Sequence, residues 1–228
     1  MKKIVFLLAS LLFVFKVNAQ CDNPFYQLKE GTVIVMESYD GKEKFQSRSE
    51  TNITNFEETN NGFIATVSYK LSDKKEKVIA EGEYKMECDA GVMKIDMSSF
   101  VPAESMAAFK DMDMEITTDQ LAYPSSLESG QVLNDASFSL TASSGPIPMK
   151  MDFDITNRKV EGKESVSTPA GAFDCYKITY NTHTKMMMAN MNFNAVEYLS
   201  EKCGVVKTES YKSNGNLMGY TILTKYAY

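Results

Sequence analysis

The sequence predicts a mostly β protein: an antiparallel sheet, curved into a half-barrel or folded as a sandwich, built from two related meander halves with one short connecting helix. Three observations predict it. The dominant hydrophobic period is two, which is the strand period. Turn residues such as Asp40-Gly41, Asn61-Gly62, Pro169-Ala170-Gly171 and Asn214-Gly215 punctuate the alternating runs. Helical patterning is nearly absent, and its one candidate is Ala103–Lys110, with Pro102 preset for a first turn and Ser98 or Ser99 as cap.

The chain opens with a different kind of segment. Lys2 and Lys3 precede an apolar run from Ile4 to Phe15, and Val17-Asn18-Ala19 supplies the small residues of a cleavage site. These are the parts of a secretory signal, and the run is too short for a membrane span. Residues 1–19 are therefore read as a signal peptide and residues 20–228 as a single β-rich domain. Gln20, not a small residue, precedes Cys21, which argues against lipidation of that cysteine. The expected product is exported, periplasmic or at the cell exterior, soluble and without a transmembrane segment.

Strand 77–88 shows the period best. Val78, Ala80, Gly82, Tyr84, Met86 and Cys88 share one face, and Lys77, Glu81, Glu83, Lys85 and Glu87 share the other. One dry and one wet face describe an antiparallel strand. Residues 149–156 repeat the design, with Met149, Met151, Phe153 and Ile155 on the dry side, and residues 111–116 do so with Met112, Met114 and Ile116. The halves, about 22–100 and 120–228, share short motifs. Leu28-Lys29-Glu30-Gly31-Thr32-Val33 resembles Leu127-Glu128-Ser129-Gly130-Gln131-Val132; Gly62-Phe63 resembles Gly171-Ala172-Phe173; Gly91-Val92-Met93-Lys94 resembles Gly204-Val205-Val206-Lys207.

Four cysteines in an exported chain read as two disulfides. If the hairpin of strands 172–184 and 190–201 turns at Ala189, Cys175 lies opposite Cys203, within disulfide reach. Cys21 then pairs with Cys88. The remaining pairings, Cys21–Cys175 with Cys88–Cys203 and Cys21–Cys203 with Cys88–Cys175, stay open.

Net charge is −6, which leaves no electrostatic footprint for nucleic acid. The lone histidine, His183, has no nucleophile motif beside it, so an enzyme is not expected. No spacing suggests zinc or a phosphate loop, and Asp111, Asp113 and Glu115 lack the glycine of a calcium loop. Met186-Met187-Met188 and Met191 near His183 suggest soft-metal ligation, but consecutive strand residues face opposite sides. No cofactor is predicted. The unusual abundance is methionine, 15 residues. Met93, Met97, Met112, Met114, Met149 and Met151 fall on apolar strand faces, and methionine suits adaptable apolar binding surfaces. They are the predicted lining of an apolar ligand site.

Two segments carry a family resemblance: Cys21-Asp22-Asn23-Pro24-Phe25-Tyr26-Gln27-Leu28-Lys29-Glu30-Gly31-Thr32, and Thr168-Pro169-Ala170-Gly171-Ala172-Phe173-Asp174-Cys175-Tyr176-Lys177-Ile178 with the following Glu197-Tyr198-Leu199 and Gly204-Val205-Val206-Lys207. Together they resemble TapB-like exported proteins, a domain of unknown function (3108-type) of Gram-negative envelopes. The resemblance implies a curved sheet comparable to the half-barrels of lipoprotein carriers such as LolA, and it supplies no catalytic residue. The expected function is that of a non-enzymatic envelope protein binding a lipid or a protein partner on its Met-rich face. The alternative is a structural or accessory component of a surface assembly.

Overall fold

The computed structural model describes residues 21–100, 112–143, 149–186 and 189–228. The leader, the expected helix Ala103–Lys110, Asp111, Met187 and Met188 lie outside the described residues. Thirteen strands follow one another: β1 (Val33–Asp40), β2 (Phe45–Glu58), β3 (Gly62–Asp73), β4 (Val78–Asp89), β5 (Val92–Asp96), β6 (Asp113–Thr118), β7 (Gln120–Tyr123), β8 (Ala136–Ser143), β9 (Met149–Thr168), β10 (Gly171–Met186), β11 (Ala189–Ser200), β12 (Gly204–Tyr211) and β13 (Leu217–Ala227). Among the described residues the only helical element is a 3₁₀ turn, Met97–Phe100, whose start is capped by Asp96 through the Ser98 N–H at 2.8 Å.

All strands belong to one antiparallel sheet in the order β6-β8-β9-β10-β11-β12-β13-β1-β2-β3-β4-β5-β7. Its two edge strands are consecutive in the chain, joined at Asp119. The Asp119 N–H donates to the Ser137 carbonyl on β8 (2.8 Å), while its carbonyl accepts the N–H of Met97, just beyond β5 (3.0 Å). Its carboxylate accepts the Ser137 N–H at 3.0 Å and the Ser137 hydroxyl at 2.6 Å. One residue is thus bonded to both edges, and the sheet curls into a nearly closed barrel, further than the expected half-barrel. Curling protects edges that would otherwise template aggregation.

Two five-strand meanders, β1–β5 and β8–β12, make up most of the barrel, with β13 joining β12 to β1. Each begins with the same turn. In the first, Gly31 N–H donates to Ile53 O, Thr32 N–H to Lys29 O and Ile53 N–H to Thr32 O. In the second, Gly130 N–H donates to Val160 O, Gln131 N–H to Glu128 O and Val160 N–H to Gln131 O. Gly31 and Gly130 take φ of 83° and 85°, a conformation that glycine adopts without steric cost.

The wet and dry faces of strand 77–88 appear from Ala80 onward, with Ala80, Met86 and Cys88 buried, while Val78 at the hairpin end is exposed. Residues 111–116 differ. Every residue of β6, an edge strand with one paired neighbour, is exposed, Met114 and Ile116 included.

One end of the barrel carries the β1–β2, β3–β4, β10–β11 and β12–β13 hairpins. The other end is closed by residues 21–32. Phe25, Tyr26 and Leu28 are buried in the main core there, packed with Phe63, Tyr123 and Leu199. Backbone bonds tie this plug to the β11–β12 turn: Gln27 N–H to Lys202 O (2.9 Å) and Lys202 N–H to Pro24 O (2.6 Å). The Asn23 side-chain amide donates to Gly91 O and Tyr123 O. Cys21 is disulfide-bonded to Cys88 at the end of β4, so the plug is also held covalently.

The second expected disulfide is not formed. Cys175 and Cys203 are buried free thiols. The strand pair turns one and a half residues earlier than predicted, with Met186 opposite Ala189, so Cys175 faces Ser200. Cys203 lies beyond the next turn, bridging to Tyr26. Both thiols belong to a smaller apolar cluster with Val166, Tyr198, Val206 and Leu223.

Candidate functional site

Inside the barrel is a cavity of about 710 Å³. Its walls come from both meanders: Leu28, Ile53, Val67 and Met86 from the first half, Phe153, Ile155, Ala195 and Val205 from the second. Tyr39, Phe193, Met218 and Tyr220 line it at the hairpin end, where side chains are partly or fully exposed. Tyr26, Tyr123 and Glu197 line it toward the plugged end and are buried. A second depression of about 850 Å³ runs past Lys29, Lys163, Glu201 and Lys202 and is open and highly charged. The barrel interior has the chemistry of a small-molecule site: apolar walls with a few convergent polar groups.

Tyr123 and Glu197 are bonded to each other, and the buried Arg158 packs behind Tyr123 without lining the cavity. The Tyr123 hydroxyl donates to Glu197 Oε2 at 3.0 Å. The Arg158 guanidinium stacks 5.0 Å from the centroid of the same tyrosine ring. Arg158 is only 1% exposed, and its Nη1 donates to Ala122 O at 3.1 Å and Asn134 O at 3.0 Å. Two atoms remain without a hydrogen-bond partner among the described residues, Arg158 Nη2 and Glu197 Oε1. Burial pushes the Glu197 carboxyl above the usual carboxylate range, opposed by the charge of Arg158 and the Tyr123 hydrogen bond. Burial likewise holds Tyr26 and Tyr123 well above an ordinary phenol, with Glu197 adding to the shift, and pushes Tyr84 up to about 12. The interior phenols therefore stay neutral donors.

A register shift explains why Arg158 points inward. Along β9, Met151 and Ile155 are buried, so strict alternation would turn Arg158 outward. A bulge intervenes: Asn157 and Arg158 together oppose Tyr180. Asn157 takes φ of 56°, its N–H donating to Asp135 at 2.8 Å and its side chain to Asn181 at 2.9 Å. Bulges re-aim side chains, and asparagine tolerates that conformation. After the bulge Arg158 and Val160 are the buried positions. Glu197 needs no such device, since it alternates inward with Ala195 and Leu199 on β11. Tyr26 is seated by Gly204, where a Cβ would come within 2.5 Å of its ring.

The six predicted lining methionines do not line this cavity. Met93, Met97 and Met151 are buried and fill the core beside it. Met112 and Met149 are half-buried, and Met114 is exposed on β6. Other methionines, Met36, Met86 and Met218, reach the cavity. Apolar alternation marks a buried face but does not separate packed core from cavity wall. The residues missed, Arg158, Glu197 and the interior tyrosines, had a weak signal: charged or phenolic side chains standing in apolar strand positions. His183 is far from them in character, half-exposed between Asp154 and Asn190, each 3.0 Å away. Among the described residues no group of three His, Cys, Asp or Glu side chains could hold a metal ion. No helix among them is long and apolar enough to cross a membrane.

The DUF3108-like family model matches residues 29–223. Two solved structures share the fold with a TM-score of 0.74, each over 90% of this chain and 99% of its own. One, from Bacteroides fragilis, is called an exported protein with a YmcC-like fold and is 20% identical. The other, from Parabacteroides distasonis, is called a lipoprotein and is 25% identical. No curated protein matches the chain.

Proposed function

The chain belongs to the DUF3108-like family, and from that premise we propose that it is an exported, non-enzymatic binding protein that takes a small apolar or amphiphilic molecule into its barrel. The observation that carries this reading is the cavity of about 710 Å³, open at the hairpin end, apolar in its walls and polar at its plugged end. Volumes of roughly 300–1,000 Å³ with a few placed polar groups are typical of small-molecule sites. The secretory pattern of residues 1–19 and the exported character named for the structural relatives support export. Engagement of Cys21 with Cys88 supports a chain without a lipid anchor. The acid and the phenols of the interior stand without a histidine or a serine nucleophile motif, which favours binding over turnover.

The test is to purify the full chain from its own envelope without detergent and analyse an organic extract by mass spectrometry. A co-purifying apolar compound near one equivalent is expected. Ala195→Trp, which fills the interior, should lose it while retaining the wild-type circular dichroism spectrum. An extract with no apolar compound, together with no uptake of the apolar dye phenylnaphthylamine, would sink the proposal. A co-purifying protein with an empty interior would favour an accessory role through the exposed edge strand β6.

A further inference from the structure

We infer that the molecule enters polar end first and that this end is a small neutral hydroxyl seated against Glu197. The inference rests on the binding reading above and names the ligand class.

Position argues for the direction of entry. Along β11 the chain runs from exposed Ala189 to buried Ser200, with Phe193 half-buried and Glu197 only 6% exposed. The four steps from Phe193 to Glu197 span about 13 Å at the strand rise. The carboxyl therefore lies deep, beside Tyr26 and Tyr123 at the plugged end. A phosphodiester head would have to cross apolar walls to reach it, and desolvating such a group is costly. An acyl chain entering first would leave the carboxyl facing hydrocarbon.

Chemistry argues for the hydroxyl. Glu197 Oε2 is occupied by the Tyr123 hydroxyl, and Oε1 has no partner among the described residues. A buried unpaired oxygen is costly, and a ligand that pairs it recovers that cost. The cavity lining holds the Glu197 carboxyl, and the Arg158 guanidinium lies behind it, 5.0 Å from the centroid of the Tyr123 ring. A fatty-acid carboxylate would bring a second acid beside Glu197, and an alkylammonium would bring a second cation to a carboxyl that the Arg158 charge already offsets. A hydroxyl adds no charge, and it both donates and accepts, so it satisfies Oε1 whether the carboxyl is ionised or not.

The experiment is displacement of phenylnaphthylamine from the full mature chain by three ligands of equal chain length: decanol, decanoate and decylamine at neutral pH. Decanol should displace the dye at concentrations about tenfold lower than either charged ligand, the factor of one buried hydrogen bond. Glu197→Leu should still bind the dye but lose the preference for decanol. Glu197→Gln, which keeps the shape and the acceptor, should retain it. Equal displacement by all three ligands in the wild-type chain overturns the hydroxyl assignment and leaves the binding reading standing. A wild-type chain that never binds the dye overturns both. Should Glu197→Leu fail to fold, the wild-type ranking decides the matter.

Discussion

The two meanders start from the same turn and line the barrel differently. In the first half the interior ladder is apolar, pairing Phe63 with Cys88, Ala65 with Met86 and Val67 with Tyr84. In the second half the corresponding ladder sets Ile178 against Glu197, and the neighbouring strand contributes Arg158. The covalent staple is distributed the opposite way: Cys21–Cys88 in the first half, two buried thiols in the second. One half thus acts as wall and anchor and the other carries the interior charge. Placing both charges on one side keeps them near enough to compensate through Tyr123.

The sharpest way to break this comparison is to remove one charge. Arg158→Met deletes the hydrogen bonds to Ala122 and Asn134 and leaves the Glu197 carboxyl uncompensated. A loss of about 3 kcal/mol is expected, read by urea unfolding, because two backbone carbonyls lose their donor and the buried acid loses the nearby cation. Adding Glu197→Leu should return part of that loss, because the unpaired acid goes with it. A double variant no more stable than Arg158→Met would show that the two groups are not coupled.

The cysteines test the same contrast with a smaller effect. Cys88→Ala opens a loop closed across 67 residues, and about 4 kcal/mol of stability should go with it. Reducing agent should reproduce the loss in the wild-type chain. Cys203→Ala in the second half removes only a small buried side chain and should cost on the order of 1 kcal/mol. Burial pushes the Cys175 thiol up to about 12, so it should resist iodoacetamide until the chain is unfolded. Rapid native labelling of Cys175 would contradict its place in the core.

The smallest effect lies at His183 on the second half. Its hydrogen bond to Asp154, and then that to Asn190, raise its pKa above 6.5. The folded state therefore favours the protonated ring. That contribution is full below about 6.5, the unfolded value, and is lost as pH rises through the raised folded value. His183→Gln should flatten the change in unfolding midpoint across that window, by a small amount because the pair is solvent-screened. An unchanged pH profile would mean that the Asp154 contact contributes nothing in solution.

Much of the architecture was legible in the chain. Period-two strands such as Val78–Asp89 carry it in their side chains, and the turns at Gly62 and Gly171 mark the hairpins. The site was legible only in part. Glu197 stood in a quoted family stretch and in phase with Ala195, yet a carboxylate on a strand reads as a solvated face unless the strand is known to line an interior. The methionines misled because thioether side chains fill core and cavity wall alike.

The sequence by itself determined an antiparallel meander and its turns, because those depend on local alternation and backbone preference. Tertiary structure alone decided three things. A hairpin centred one and a half residues from its expected place moved Cys175 from Cys203 to Ser200. The bulge at Asn157 reversed the phase of β9 and turned Arg158 inward. Curling of the sheet, closed at Asp119, converted one face into an interior. Each is a matter of register or closure, in which a shift of one residue changes which side chains meet, and no local propensity encodes it.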